Sequence, residues 1–455
     1  MRLIDNILIK EMGFTSTTHD RCIYKHDNIF NETVYIIRQV DDFMLGCKDE
    51  KTAKDIFNII GTKLQFPSEK LKGVVPFEYL GLVTDYNGVD IRQTRDYIEM
   101  HCTNYIDRLL KSHSWTTKSD DDLSNNHLGS TKPVYRVSQP YRDNLSDEEL
   151  LKQFKANEKS KTHSMKSSKP LSPLPADCID TMFKEVGPLE GSVDHTILEK
   201  KNGFGYRTLL GELMYAYITC RPDIGYAITS LSKFSTRPSA VHYKLLRGVA
   251  KYLRSTRSWG IRFHRSEPMN DMEPGVKYDI ELPSELSAFP VDIKEPRLKC
   301  FVDAAHGNDL RQRRSTTGYV FTFAGGAVVY KSKTQTLTAG SSTEAEFIAA
   351  VSAAKAARYL RSVLREMGFE QRGPTIIYID NMSALKIIND NTSPTERTRH
   401  MDIRFFQVQD WRLDGDIIMK HIPGILNPSD DLTKPLGWVL HSRHCRRIMG
   451  HFEHA

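Results

Sequence analysis

Residues 298–333 read LKCFVDAAHGNDLRQRRSTTGYVFTFAGGAVVYKSK and decide the fold of the C-terminal part of the chain. The first segment, LKCFVDA (298–304), has the pattern of a strand and carries Asp303 between Val302 and Ala304. The segments 318–325 and 326–333 meet at Gly325-Gly326, a short turn signal that predicts a hairpin. The stretch therefore predicts three consecutive strands, the first of which holds an interior carboxylate.

The residues that follow extend these strands into a layered domain. A helix is predicted from Thr343, as its cap, to Gly368. The nearly all-apolar strand TIIYID (375–380) is typical of a sheet covered on both faces. Two further helices and the strand DIIMKHI (416–422) come next. This order predicts an α/β domain at 298–436, with a mixed five-stranded sheet flanked by helices.

Four acids in this domain lie where a strand or helix would deliver them: Asp303, Glu346, Asp380 and Asp430. Such a set is typical of nuclease sites that bind two Mg²⁺ or Mn²⁺ ions and hold the attacking and leaving oxygens of a phosphodiester. Each acid also has a plainer interpretation. Asp380 could cap the helix that follows it, Glu346 could complete a capping box, and Asp430 could begin a helix.

The first 115 residues alternate strands and helices and predict a separate α+β unit. The strand VYIIRQV (34–40) runs into Asp41-Asp42, and FMLGC (43–47) is its predicted returning partner. The further predicted elements are an opening amphipathic helix that ends at Gly13, a helix at 51–64, a hairpin at 77–94 around Asn87-Gly88 and a helix at 96–113.

Composition divides the remainder of the chain. Residues 116–200 are rich in Ser, Lys, Asp and Pro and predict a polar, disordered linker. Residues 201–265 are strongly helical, and 266–297 form a polar insert. Residues 437–455 are basic and rich in histidine, which predicts either a nucleic-acid contact or a solvated tail.

The overall composition narrows the class of protein. A chain of 455 residues is long enough for several domains, and its formal charge of +6 is compatible with nucleic-acid binding. The seven cysteines form no C-x-x-C pair, which argues against a disulfide framework or a structural zinc and favours an intracellular location. We expect no membrane partner, because no apolar run approaches the ~18 residues that a span requires.

Residues 298–436 resemble the ribonuclease H domain of copia-type retrotransposon polyproteins. The resemblance implies that Asp303, Glu346, Asp380 and Asp430 are catalytic metal ligands, and that His400 assists proton transfer or product release. A packing or phosphate-contact role for His400 is also open. The family often has a second acid two residues after the first, where this chain has Ala305. The motifs that carry the resemblance are STTGYVF (315–321), SSTEAEF (341–347), YIDNMSA (378–384), RTRHMDIRFF (397–406) and HIPGILNPSDDLTKPL (421–436).

The first half is similar to the polymerase part of the same polyproteins. Gln39-Val40-Asp41-Asp42-Phe43 resembles the V-D-D turn of reverse-transcriptase palms, in which the two acids hold metal ions. The resemblance makes residues 1–115 a truncated palm and thumb, and residues 201–265 the connection region, with R-P-D at 221–223 as its signature. No residue here matches the third acid of the family's polymerase, so we expect no DNA synthesis by this chain alone.

The resemblance also implies the partners. These are an RNA–DNA hybrid, template RNA or DNA and other parts of the same polyprotein, in a cytoplasmic virus-like particle or in the nucleus. A different class of function stays open, that of an inactive or domesticated element remnant that binds nucleic acid. Phosphate contacts are expected from five basic residues near the first hairpin, for which a solvated surface is the alternative: Arg311, Arg313, Arg314, Lys331 and Lys333.

Overall fold

The computed structural model describes residues 2–39, 42–64, 82–94, 96–115, 172–265, 296–389 and 402–451. These residues form three sheets and the helices around them. Two predicted site residues, Asp41 and His400, lie outside the described residues. So do most of the predicted linker and nearly all of the polar insert.

The N-terminal unit is a four-stranded antiparallel sheet with a helix on each side of it in sequence. Its strand order is β1-β2-β3-β4, and its core contains Leu8, Tyr24, Ile36 and Ile56. The pairing of β3 with β4 confirms the predicted hairpin that leads into Asp42, whereas the assignment to a polymerase palm stays a prediction. The elements are α1 (Arg2–Asp5), continued by a π-helical segment (Asn6–Glu11), β1 (Thr15–Ser16), β2 (Ile23–Ile29), β3 (Glu32–Gln39), β4 (Asp42–Gly46) and α2 (Glu50–Leu64).

A second four-stranded sheet joins two distant parts of the chain. It consists of β5 (Leu82–Tyr86), β6 (Val89–Gln93), β7 (Tyr97–His101) and β8 (Gly260–His264). The predicted helix at 96–113 is wrong over its first residues, which form β7, and α3 occupies only Thr103–Ser112. The reason is tertiary, because β7 pairs with β8 and the buried Glu99 accepts a hydrogen bond from Arg262 on that strand.

Five helices follow in the part of the chain that the structure describes; the first lies within the predicted linker and the second begins in it. The prediction of a disordered linker at 116–200 is therefore wrong over 172–200. Although polar residues surround them, Leu174, Cys178, Met182 and Phe183 are buried in the same core as the next helices. The helices are α4 (Cys178–Lys184), α5 (Val193–Asn202), α6 (Tyr206–Thr219), α7 (Gly225–Ser232) and α8 (Ala240–Ser255).

His242 fastens α4 to the start of α8. Its Nδ1 accepts a hydrogen bond from the backbone N–H of Ser239 at 2.8 Å, so its Nε2 carries the proton that is donated to the carbonyl of Met182, also at 2.8 Å. The ring stacks on Phe234 with centroids 4.0 Å apart. Burial lowers the pKa of His242 to about 4, because the charged form would lose its hydration.

We expect this histidine to make the protein less stable in mild acid. Its pKa is lower in the folded than in the unfolded chain, so its contribution is present above pH ~6.5 and is lost as the pH falls towards 4. Between pH 7 and pH 5, denaturant unfolding should show an extra loss of about 2 kcal/mol relative to His242→Gln. Glutamine can accept from Ser239 but does not titrate. Equal losses in the two proteins would contradict this assignment.

The C-terminal sheet has the strand order β11-β10-β9-β12-β13. The first three strands are antiparallel, whereas β12 runs parallel to both β9 and β13, which confirms the predicted mixed five-stranded sheet. The hairpin turn is at Ala324-Gly325, both with positive φ, rather than at Gly325-Gly326. The elements are β9 (Lys299–Asp309), β10 (Arg314–Phe323), β11 (Gly326–Thr334), α9 (Ser342–Met367), β12 (Thr375–Ile379), α10 (Met382–Asn389), α11 (Asp402–Leu413) and β13 (Ile417–His421).

The last described helix, α12 (Trp438–Met449), packs into the protein. The predicted solvated or nucleic-acid-binding tail is therefore wrong over this helix, because His441, Cys445 and Ile448 are buried. Beyond it, His451 donates a hydrogen bond to the carbonyl of Gly260 on β8 at 2.6 Å. Neither this helix nor any other in the described ranges qualifies as a membrane span.

Candidate metal centre

Three acids from separate elements converge at one end of the C-terminal sheet. Asp303 lies on β9, Glu346 lies in the second turn of α9, and Asp380 directly follows β12. Because β12 runs parallel to β9, with Ile379 opposite Val302, Asp380 follows in register with Asp303. Carboxylate oxygens of the three acids all lie within 4.8 Å of one another. Capping does not account for Glu346, since the cap of α9 is Ser341, not the predicted Thr343.

Asp430 reaches the same place on a short 3₁₀ turn, Pro428–Leu432. Asn427 begins this turn and fastens it to β9, because its side-chain amide donates to the carbonyl of Val302 at 2.9 Å. At the other end, the hydroxyl of Thr433 donates to Oδ2 of Asp303. The turn therefore carries Asp430 next to the other acids, and the charge of Asp303 helps to raise its pKa.

A glycine on the neighbouring strand makes this approach possible. Gly318 on β10 pairs directly with Asp303. A Cβ at this position would lie 2.5 Å from Cγ2 of Thr433 and 3.0 Å from the carbonyl oxygen of Ser429. The turn that carries Asp430 thus packs directly against the backbone of Gly318. Any side chain at position 318 would displace this turn.

Asp303, Glu346 and Asp430 are buried and Asp380 is half-buried beside them, so the four carboxyl groups disfavour one another's ionisation. Burial, with added repulsion from Asp303 and Asp380, raises the pKa of Glu346 to about 10. Burial and Asp303 likewise raise the pKa of Asp380 to about 6, and that of Asp430 well above its usual value. The cluster therefore has a strong electrostatic demand for positive charge.

The ammonium group of Lys434 supplies part of this positive charge. Its Nζ lies 2.9 Å from Oδ1 of Asp430. Burial alone would lower the pKa of this lysine, but Asp303 and Asp430 outweigh burial and hold it above its usual value. The sequence predictions did not single out Lys434. Its signal was the T-K pair that follows the last acid in NPSDDLTKPL.

The donor set fits hard divalent cations. Oε2 of Glu346 is buried and has no hydrogen-bond partner in the structure, which is costly for a carboxylate unless a cation binds it. All the converging donors are carboxylate oxygens, the ligands that Mg²⁺ and Mn²⁺ prefer over nitrogen or sulfur. Asp303, Glu346, Asp380 and Asp430 could therefore hold such ions.

The predicted phosphate-contact residues have different surroundings. The guanidinium of Arg311 donates to the carbonyl of Glu185 at 3.0 Å and lies 4.5 Å from the ring centroid of Phe234, so contacts within the protein compete with a phosphate. Lys331 and Lys333 lie on the edge strand β11, and Nζ of Lys331 is 5.5 Å from the ring centroid of Tyr319. Arg313 is exposed in the β9–β10 turn, and Arg314 begins β10.

Asp42, the described member of the Asp-Asp pair, lies apart from this cluster. Its Oδ2 accepts a hydrogen bond from the backbone N–H of Asn87 at 3.2 Å. It also borders a cavity of about 610 Å³ that is lined by Tyr105, Arg108, Glu212 and other residues of α3 and α6. The structure thus places the tip of the β5–β6 hairpin against the predicted polymerase motif.

Sequence comparison links the chain to transposon polyproteins. It is 32% identical over 242 residues to the retrovirus-related Pol polyprotein from transposon TNT 1-94 of Nicotiana tabacum, which covers 52% of this chain and 16% of that protein. The Pol polyprotein from transposon RE2 of Arabidopsis thaliana is 26% identical over 53% of this chain and 15% of its own length. Secreted RxLR effector protein 161 of Plasmopara viticola is 32% identical over 34% of this chain and 90% of its length. No family model matches.

Among solved structures, LC11-RNase H1, isolated from compost by a metagenomic approach, aligns with 30% of this chain and 92% of its own length, at 16% identity and a TM-score of 0.24. RNase H1 from Halobacterium salinarum covers 30% of this chain and 94% of its own, at 19% identity and a TM-score of 0.23. At these scores the alignments carry no argument. The strand order β11-β10-β9-β12-β13 itself defines the fold of the C-terminal sheet.

The chain spans about a sixth of the length of the Pol polyproteins that it matches. The matches to the tobacco and Arabidopsis elements each extend over about half of the chain. The chain is therefore similar, over about half of its length, to the retrovirus-related Pol polyproteins of copia-type transposons.

Proposed function

We propose that this protein is a metal-dependent ribonuclease that hydrolyses the RNA strand of RNA–DNA hybrids. The observation that carries the proposal is the convergence of Asp303, Glu346 and Asp380 within 4.8 Å, with Asp430 brought beside them by its turn. Similarity to the Pol polyproteins of transposons supports the choice of substrate. In this proposal the nuclease is the working part of the chain.

The residues of the cluster have distinct roles in this mechanism. The four acids would hold two Mg²⁺ or Mn²⁺ ions, which supply an activated water and stabilise the leaving 3′ oxygen. Thr433 orients the carboxylate of Asp303 by donating a hydrogen bond to it. Lys434 offsets negative charge at Asp430, which reduces the repulsion that an incoming phosphate would meet.

Substrate selection would depend on shape rather than on base sequence. Hybrids are distinguished from duplex DNA by their minor groove and by the 2′-hydroxyls of the RNA strand. Arg313, Arg314, Lys331 and Lys333 are the basic side chains that we propose for phosphate contact beside the sheet. Such contacts position a hybrid without reading its sequence.

The test is cleavage by the full chain of a hybrid labelled on each strand in turn. We expect cutting of the RNA strand with Mg²⁺ or Mn²⁺, none with a chelator, and none of duplex DNA of the same sequence. Asp303→Asn protein, purified in parallel, controls for contaminating nucleases. A folded protein that binds the hybrid and leaves it intact with either metal would reject the proposal in favour of a nucleic-acid-binding remnant.

A further inference from the structure

A second buried polar cluster lies directly behind the acids. Asp431, the residue after Asp430, shares its 3₁₀ turn and is buried. Its Oδ1 lies 2.5 Å from Nδ1 of His441 on α12, and its Oδ2 accepts from the thiol of Cys445 at 3.4 Å. The two neighbouring aspartates therefore face different partners, Asp430 the acid cluster and Asp431 the C-terminal helix.

The cluster continues into the helical region as a chain of hydrogen bonds. Nε2 of His441 lies 2.9 Å from the hydroxyl of Tyr252 on α8, and that hydroxyl donates to Oδ2 of Asp223 at 2.7 Å. Arg221 grips Asp223 through Nε at 2.9 Å and Nη2 at 2.6 Å, and also donates to the carbonyl of Thr256 at 2.9 Å. The R-P-D motif thus forms the far end of a chain that begins beside Asp430.

Counting protons fixes the direction of these bonds. Arg221 holds Asp223 as a carboxylate, since it outweighs burial and keeps the pKa of Asp223 below its usual value. The single proton of Tyr252 goes to Asp223, so Tyr252 accepts from Nε2 of His441. One proton is then shared between Nδ1 of His441 and Asp431. Each of these side chains therefore needs the next one in the series as its hydrogen-bond partner.

Asp431, His441 and Cys445 could in principle hold a metal ion, since their ligand atoms lie within 4.8 Å of one another. Hydrogen bonds account for them better. Both nitrogens of His441 already have hydrogen-bond partners, and the thiol of Cys445 donates a hydrogen bond to Asp431. The arrangement is a series of hydrogen bonds, with each side chain paired, that joins α8, α12 and the turn.

We propose that Asp431, His441 and Tyr252 are positioning residues that set the place of Asp430 in the metal centre, so that the nuclease site requires the helical region and α12. The inference rests on the proposed function. Partners that orient metal ligands from behind usually matter for affinity by roughly 10-fold or more when they are removed. Here the support reaches the ligand through one peptide unit, because Asp431 and Asp430 are adjacent.

The test is Tyr252→Phe in the full chain, which removes one hydroxyl and leaves the ring. We expect Mn²⁺ binding, measured by calorimetry without substrate, to weaken by ~10-fold, and hybrid cleavage to need correspondingly more metal. The matched control is Tyr243→Phe on the same helix, because the Tyr243 side chain is also fully buried but does not contact Asp223 or His441. Asp431→Asn is an isosteric change at the other end of this series of hydrogen bonds, and it should weaken Mn²⁺ binding by a similar factor.

The outcomes separate this inference from the function on which it rests. Unchanged Mn²⁺ affinity in Tyr252→Phe, with an active wild type, overturns the inference alone. A wild type that neither binds Mn²⁺ nor cleaves hybrid overturns both. If Tyr252→Phe and Asp431→Asn both unfold at the assay temperature, these hydrogen bonds stabilise the whole fold rather than the position of Asp430, and the inference is overturned. Stoichiometric zinc that disappears in His441→Gln would replace the hydrogen-bond account with a metal site.

Discussion

Replacing Glu346 by glutamine should abolish hybrid cleavage and at the same time stabilise the metal-free protein. Glu346 is buried beside Asp303 and Asp380, and its Oε2 has no hydrogen-bond partner, so its charge is unfavourable unless a cation is bound. Glutamine keeps the size and removes the charge. We expect the rate of hybrid cleavage to fall roughly 10³-fold, which corresponds to a loss of several kcal/mol of transition-state stabilisation.

Stability should change in the opposite direction. In a chelator at neutral pH, we expect the free energy of unfolding of Glu346→Gln to exceed that of the wild type by roughly 1–3 kcal/mol. Added Mg²⁺ should stabilise the wild type by mass action and leave the variant nearly unchanged. Urea unfolding with and without Mg²⁺ measures both effects.

Glu344→Gln is the matched control for this pair of measurements. Glu344 is on the same helix, two residues earlier, but lies at its exposed start, where its Oε2 accepts from the backbone N–H of Gly340 at 2.7 Å. Glutamine can make the same bond, so neither cleavage nor stability should change. Metal-free Glu346→Gln that is less stable than the wild type would show that the acid cluster is not under electrostatic strain.

Gly318→Ala is expected to have the second largest effect, although residue 318 carries no functional group. Its Cβ would lie 2.5 Å from Thr433 Cγ2 and 2.9 Å from Leu432 Cβ. The turn with Asp430 must move to make room, because the strand is fixed by its pairing with β9 and β11 on both sides. A displacement of about 1 Å at a catalytic group can cost ~10²-fold in rate, and we expect a loss of at least that size.

The loss should be accompanied by weaker Mn²⁺ binding, while the hybrid affinity measured in a chelator stays the same. Gly248→Ala is the control, because a Cβ at that helical position meets nothing within 4 Å. That change should leave cleavage intact and stabilise the protein slightly, by up to ~1 kcal/mol. Full activity in Gly318→Ala would mean that the close approach of the turn is not needed for the metal centre.

Local patterns were enough to predict much of the C-terminal domain. The hairpin of β10 and β11, the buried strand before Asp380 and the helix that carries Glu346 all have strong local signals, and the structure has each of them. Strand order then brings Asp303 and Asp380 together, because parallel neighbours in register end at the same edge. The convergence could therefore be predicted, whereas the catalytic roles of the acids stay predictions.

Long-range contacts explain what local patterns did not predict. Residues 97–101 form a strand because they pair with 260–264, about 160 residues later in the chain. The bond between Tyr252 and His441 joins residues 189 positions apart, and nothing near either residue indicates it. Helix α4 was missed for a similar reason, since its few apolar side chains have a core to enter only when α6 and α8 are in place.

The order of synthesis gives helix α12 a further significance. On the ribosome, the strands and helices that carry Asp303, Glu346 and Asp380 emerge before residues 438–451, and domains fold as their residues become available. Until α12 emerges, Asp431 lacks its His441 partner, and the turn with Asp430 has no backing. Nuclease activity would then begin only after residues 438–451 have been synthesised and helix α12 has packed behind the turn.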